Sequence, residues 1–312
     1  MLKQYISVYS RATALAPGNA YYCDPFEVAA THGHIDALRL LLEEYAADPT
    51  QTTALDQRGF TLLNAACGSA RVEIVRFLLD SQPPLGTVSA RDRWNETPLL
   101  SAAASLAYLK FEDADKGEER LGCIRDRIAR GEELMNLLLD RAACARDAVL
   151  PPGDDGQPLE IVVGLILSRP GYDDGQPLDT VLGWAVSRAG YALVKRLLDE
   201  GADIHAKQQY THWPTGAGGF GREKPSPRDV TALHLAGLFW NAEAIKALLD
   251  YEDIIDSVSS RDSNGRLPLH WAAAGHDTRE CWLPDDEISS RLIETFRLLL
   301  ASNPSAINVQ DE

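Results

Sequence analysis

Short clusters of small and apolar residues alternate along this chain with amphipathic runs that end in paired leucines. The first copy opens at Asp24-Pro25-Phe26-Glu27-Val28-Ala29-Ala30, turns at Gly33-His34 and closes at Leu40-Leu41-Leu42. Thr61-Leu62-Leu63-Asn64-Ala65-Ala66 opens the second, closed by Phe77-Leu78-Leu79. The third runs from Thr97-Pro98-Leu99-Leu100 to Leu137-Leu138-Leu139, and the fourth from Thr180-Val181-Leu182-Gly183-Trp184-Ala185 to Leu197-Leu198. Thr231-Ala232-Leu233-His234-Leu235-Ala236 begins the fifth, which closes at Leu248-Leu249. Leu267-Pro268-Leu269-His270-Trp271-Ala272 begins the sixth, which closes at Leu298-Leu299-Leu300. Apolar residues three and four apart predict helices, so each copy reads as a helix pair. Thr61, Thr97, Thr180 and Thr231 can cap the first helix through a side-chain oxygen. Pro25, Pro98 and Pro268 fall at the first helical position, where a missing N–H costs nothing. Gly33 suits a left-handed turn between helices. No pair can bury its apolar face alone, so the pairs must stack.

These residues resemble the ankyrin family, whose repeat is about 33 residues long with a T-P-L-H-x-A core. Two further stretches fit: Leu197-Leu198-Asp199-Glu200-Gly201-Ala202-Asp203-Ile204, and Arg261-Asp262-Ser263-Asn264-Gly265 leading into Leu-Pro-Leu-His. The resemblance implies an all-α solenoid of about six helix-turn-helix repeats with β-hairpin fingers between them. It runs from about residue 18 to the end of the chain, in repeats of approximately 18–55, 56–90, 91–150, 173–206, 226–260 and 261–312. Residues 1–17, with Leu2, Ile6, Tyr9 and Ala12 at helical spacing, are predicted to cap the first repeat. The last residues, Ile307-Asn308-Val309-Gln310-Asp311-Glu312, read as the start of another finger, so the array is expected to continue beyond 312.

Spacings between successive openings are 37, 36, 83, 51 and 36 residues, and the long ones locate insertions. A charged stretch, 106–130, separates the two helices of the third copy, and 276–290 separates those of the sixth. Residues 207–228, with Tyr210, His212, Trp213 and the run Gly216-Ala217-Gly218-Gly219-Phe220-Gly221, follow the fourth copy and should extend a finger. Residues 154–172 and 173–191 are a tandem duplication, identical at 12 of 19 positions. Only the second duplicate leads into an outer helix, so it is the inner helix of repeat four. The first is an inserted helix packed on the stack, ended by Pro170. An array this long and degenerate resembles, in style, the ankyrin proteins of filamentous fungi.

Composition narrows the class. A hydrophobic content of 45% supports a packed core. The net charge of −16 repels nucleic acid and anionic lipid, so neither is an expected partner. Five cysteines without C-x-x-C pairs fit reduced thiols in a cytoplasmic or nuclear protein. The N-terminus lacks a signal-peptide core, and the longest apolar run, 161–167, is too short to span a bilayer.

Candidate chemistry is thin. His234 and His270 occupy the His slot of the repeat and His34 a Gly-His slot, which the resemblance explains as scaffold; only His32 and His212 have no such place. No H-E-x-x-H, Cys/His cluster, Ser-His-Asp arrangement or phosphate loop is readable, and Asp154-Asp155 and Asp173-Asp174 lack the alternating spacing of a calcium loop. No cofactor and no metal is expected, and no catalytic residue is assigned.

The family shape implies partners on a concave face built from finger tips and inner helices. Mapping the chain onto those slots selects Tyr21, Arg58, Phe60, Arg93, Trp94, Arg188, Trp213, Arg228, Phe239 and Arg266. Neighbouring slots hold Cys23, His32, Gln57, Glu96, Asp179, Val230, Ser263 and Asn264. Arginine and aromatic residues dominate binding hot spots, and their basic character contrasts with the acidic whole. The competing reading is that the aromatics pack between repeats and the arginines pair with local acids. The expectation is a monomeric interaction scaffold that holds a protein segment carrying acidic and apolar residues. Two alternatives stand beside it: a small-molecule site or unusual enzyme closed over by the insertions, and a targeting module of a larger protein.

Overall fold

The computed structural model describes residues 24–46, 62–82, 84–92, 95–107, 118–149, 179–209, 227–251, 255–275 and 283–310. The expected capping helix, the first duplicate and the candidate residues Tyr21, Cys23, Gln57, Arg58, Phe60, Arg93, Trp94 and Trp213 lie outside the described residues.

Among the described residues the helices fall into pairs. These are α1 (Pro25–His32) with α2 (Ile35–Ala46), α3 (Leu62–Gly68) with α4 (Val72–Asp80), and α5 (Pro98–Ala107) with α6 (Glu118–Asp140). They continue with α7 (Val181–Ala185) and α8 (Tyr191–Asp199), then α9 (Ala232–Leu238) and α10 (Ala242–Leu249). After the single turn α11 (Ile255–Val258) come α12 (Pro268–Ala274) and α13 (Asp285–Ser302). The chain divides into two compact units, Met1–Ser105 with Glu133–Ala143, and Leu106–Glu132 with Cys144–Glu312.

In the first unit, α1 starts where the Asp24 carboxylate accepts from the Phe26 N–H at 2.9 Å, with Pro25 in the first turn. It stops at Gly33, whose φ of 77° is left-handed. Inner helix α1 packs on inner helix α3, and Phe26, Leu38, Leu63, Ile74, Leu78 and Leu99 form the buried core.

The second unit repeats the scheme. Inner helix α9 packs on α12 and on α7; outer helix α10 packs on α8 and on α13. In α8 the stripe Leu193, Val194, Leu197 and Leu198 is buried, the spacing of one helical face. Between α6 and α7 the chain forms a finger in which β1 (Ala148–Val149) pairs antiparallel with β2 (Asp179–Thr180). Residues 150–178 separate the two strands in sequence. Gln208 and Val230 form an antiparallel bridge in the next finger, on either side of residues 210–226.

At the opposite, helix–helix turns, polar side chains bind the carbonyls that short helices leave open. In the first unit the Arg71 Nε donates to the Thr31 carbonyl at 2.8 Å. In the second, Asn241 Nδ2 donates to the carbonyls of Val186 and Ala189, both at 2.9 Å, and Trp240 Nε1 to that of Ala272 at 2.9 Å.

One slot shows how the helix starts are locked. In α9, His234 Nδ1 accepts from the Thr231 N–H at 3.2 Å, and its Nε2 lies 3.1 Å from the Arg266 carbonyl in the next finger. His270 does the same for α12, accepting from the Leu267 N–H at 2.9 Å and reaching the Val309 carbonyl at 3.0 Å. In the first unit Asn64 occupies this slot, and its Nδ2 donates to the Glu96 carbonyl at 2.6 Å. The slot in α7 holds Gly183, with no side chain. There the bond is made from the other side. The amide oxygen of Gln208, in the following finger, accepts from the Thr180 N–H at 3.2 Å and the Thr180 hydroxyl at 2.8 Å. A Cβ on Gly183 would overlap that amide. Gly183→Ala is therefore expected to cost roughly 1–3 kcal/mol of stability, and much less in a Gln208→Ala background. Urea denaturation of the four proteins of this cycle measures it; equal costs in both backgrounds would refute the pairing.

Candidate functional site

Two finger turns are built alike. In the finger before α12, the Asp262 carboxylate accepts from the N–H groups of Asn264 and Arg266, each at 2.9 Å. It also accepts from Arg266 Nε and Trp271 Nε1, both at 2.9 Å. Asp262 is thus a buried hub with four donors around it. Arg261 Nη1 donates to the Gly265 carbonyl at 2.6 Å, and Gly265 takes φ 73°. The finger before α5 matches it. The Glu96 N–H donates to the Asp92 carboxylate at 3.0 Å, Arg91 Nη1 to the Asn95 carbonyl at 2.6 Å, and Asn95 takes φ 63°. Adjacent fingers are tied in the second unit, where the Ser263 N–H donates to the Arg228 carbonyl at 2.9 Å and the Arg228 N–H to the Ser263 hydroxyl at 3.0 Å.

Four of the ten residues selected from sequence can be placed. Arg228 is half-buried at the finger edge beside exposed Ser263. Arg266 stands in the same finger, its guanidinium held by Asp262 and stacked 5.4 Å over the Trp271 ring. Arg188 and Phe239 face inward, against the expectation that they present to a partner: they are 9% and 4% exposed. Arg188 Nη1 donates to the carbonyls of Leu106 and Ala107 at 2.6 and 2.8 Å, and the guanidinium lies 5.5 Å from the Phe239 ring. A cation binding the open end of one helix over the aromatic ring of a neighbour is a stacking device. Val230 is buried and Asn264 half-buried. His32 is exposed, stacked on His34, and its Nδ1 lies 3.0 Å from the Val28 carbonyl. Exposed Arg91 and Arg261 hold the same position in two fingers and were passed over; the Arg-Asp dipeptide five and six residues before each helix cap was the signal.

Residues 26–113 and 182–283, more than half of the chain, match the family model of ankyrin repeats in three copies. The chain belongs to the ankyrin repeat family. No curated protein matches it. Among solved structures, it is similar to one chain in the complex of the Bd0816 predatory endopeptidase from Bdellovibrio bacteriovorus with immunity protein Bd3460, at 15% identity and TM-score 0.48, covering 89% of this chain and 97% of that one. It is also similar to an ankyrin repeat domain from Acinetobacter baumannii AYE, at 16% identity and TM-score 0.46, with 89% and 97% covered. The human ASB11 ankyrin repeat domain gives 21% identity and TM-score 0.38, with 87% and 97% covered. Ankyrin repeat domains generally mediate protein–protein interaction.

Within this ankyrin chain the fully buried slot histidine, His234, is neutral. Burial lowers His234 to about 4, against the opposing effect of its bond to the Arg266 carbonyl. Thr231 donates to Nδ1, so the proton sits on Nε2. Among the described residues no group of three or more His, Cys, Asp or Glu is placed to hold a metal ion. Burial pushes the Cys67 thiol up, leaving it unreactive. No helix among the described residues is long and apolar enough to cross a membrane.

Two pH effects of opposite sign follow. The unfolded chain takes up a proton on His234 near 6.5 while the folded chain resists until about 4. Stability from this group is therefore present above 6.5 and falls as pH drops toward 4, by on the order of 3 kcal/mol. Thermal unfolding of wild type and His234→Gln between pH 7 and 4 should show the wild-type loss reduced in the variant. Glu96 behaves in reverse. Burial first, then the Asp92 charge, pushes it up to about 7, while the Ser101 hydroxyl bond at 3.0 Å works the other way. Its contribution is present below about 4.5 and lost as pH rises through 7. Glu96→Gln should gain thermal stability over wild type at pH 8.5 and none at pH 4.5; an equal gain at both would show that Glu96 is not desolvated.

Proposed function

We propose that this ankyrin array is a protein-interaction scaffold that takes a partner segment across its finger tips and inner helices. The observation that carries the reading is the rigid finger before α12. Asp262 and its four donors fix the backbone, while Arg261 and Ser263 remain exposed and Arg228 and Asn264 half-exposed beside them. A surface that needs no ordering on binding loses less entropy when a partner docks. Cationic tips on a chain of net charge −16 favour a segment with acidic residues over other surfaces of the same protein. Small residues Ala273 and Ala274, exposed on α12, leave room for the apolar side chains of such a segment. By sequence alone, Tyr21, Arg58, Phe60, Arg93, Trp94 and Trp213 fall in slots of the same kind in other repeats, and with Arg266 they remain proposed contacts. Arg188 and Phe239 are excluded from it because they serve the stack.

The test is affinity capture with wild type and with a variant carrying Arg228→Glu and Arg261→Glu. Partners held by wild type should be retained at least about tenfold less by the variant, the size expected when hot-spot charges are reversed. Thermal unfolding should change little. Undiminished capture by a folded variant would place the interaction elsewhere.

A further inference from the structure

In a repeat stack each repeat touches only its neighbours in sequence. One contact in the second unit breaks that rule. Leu121, Ile124 and Ile128 lie three and four residues apart along α6 and so share one helical face. That face packs against Leu283 and Ile288, at the start of α13. Ile124 and Leu283 are each almost fully buried in this contact. The Arg125 guanidinium donates to the Glu287 carboxylate at 2.9 Å, joining residues 162 positions apart, and Arg291 holds the other oxygen of Glu287 at 2.8 Å. The two partners belong to the third and sixth repeats.

The end of α5, earlier in the chain, and the C-terminal end of this segment are both fastened to the fourth repeat. In α5, the carbonyls of Leu106 and Ala107 receive Arg188. In the segment, the Glu132 carboxylate accepts from the Gly190 N–H at 2.5 Å. Arg188 and Gly190 flank the turn between α7 and α8. The fifth repeat is joined to both sides by its own turn, through Asn241 to the fourth and Trp240 to the sixth. The contacts therefore form a closed circuit: fourth repeat to fifth, fifth to sixth, sixth to the α6 segment, and that segment back to the fourth.

We infer that residues Leu121–Glu132 are a strap that closes the helix-turn edge of repeats four to six, so that these three repeats open together rather than one after another. A repeat helix held only by its neighbours in sequence opens when those neighbours open. Here α13 has a second attachment. The strap also fixes the angle between the fourth and sixth repeats, which sets the curvature of any surface they present. The two insertions that interrupt the third and sixth copies have a shared role in this arrangement: each supplies one half of the clasp.

The test is native-state hydrogen exchange, read by mass spectrometry on the full chain, with Ile124→Asp and Leu283→Asp. Exchange in α13 should accelerate at least about tenfold in Ile124→Asp, although that change lies in the third repeat. A stack with neighbour contacts alone confines the effect to α6 and the helices beside it, so α13 exchange unchanged within twofold overturns the strap. Should the aspartate variants fail to fold, Ile124→Ala, Leu283→Ala and the double variant decide the matter. If the strap exists, the double variant exchanges in α13 no faster than the worse single one; effects that multiply overturn it.

Discussion

Short helices cannot satisfy their own backbones, and this fold depends on neighbours doing it for them. A helix of seven residues, such as α9, has four N–H groups at its start and four carbonyls at its end without internal partners, which is most of the helix. Buried and unmet, each such group costs about 1–3 kcal/mol. The finger of the following repeat secures the starts, and turn residues such as Arg71, Arg188, Asn241 and Trp240 secure the ends. Apolar burial holds the repeats together, but it is non-directional. Hydrogen bonds of fixed length set the register between them.

This requirement explains why the array tolerates so much variation. The slot at the helix start needs an acceptor for the cap and a link to the next finger. Imidazole supplies both in His234 and His270. Asn64 supplies the link through its amide. Where Gly183 leaves the slot empty, Gln208 enters from the finger and supplies the acceptor. At these four starts a polar group ties the helix start to the following finger, while the residue, and even the strand that contributes it, changes. Long segments can then be inserted at finger tips or between helices, because neither position interrupts these bonds.

Mapping residues onto family slots led to Arg228 and Arg266, which the structure puts in two adjacent fingers, and to Arg188 and Phe239, which it turns inward. The slot says where a backbone lies but not which way a long side chain turns. Arg188 turns inward because two open carbonyls, of Leu106 and Ala107, draw a cation more strongly than water does in that buried setting. The ring of Phe239 lies beneath it. Arg91 and Arg261 were missed because each looks like an ordinary surface charge until its bond across the turn is seen.

The sequence by itself determined the repeat, the helix pairs, the caps at Thr97 and Thr180, and the left-handed turn at Gly33. Each depends on residues within a few positions of one another, so local spacing is enough to specify it. Tertiary structure alone decided that Gln208 completes the helix start at Thr180, that Arg188 belongs to the stack, and that Ile124 meets Leu283. Those outcomes join residues 28, 82 and 159 positions apart, where the choice of partner follows from which open polar group or apolar face the folded neighbours bring within reach.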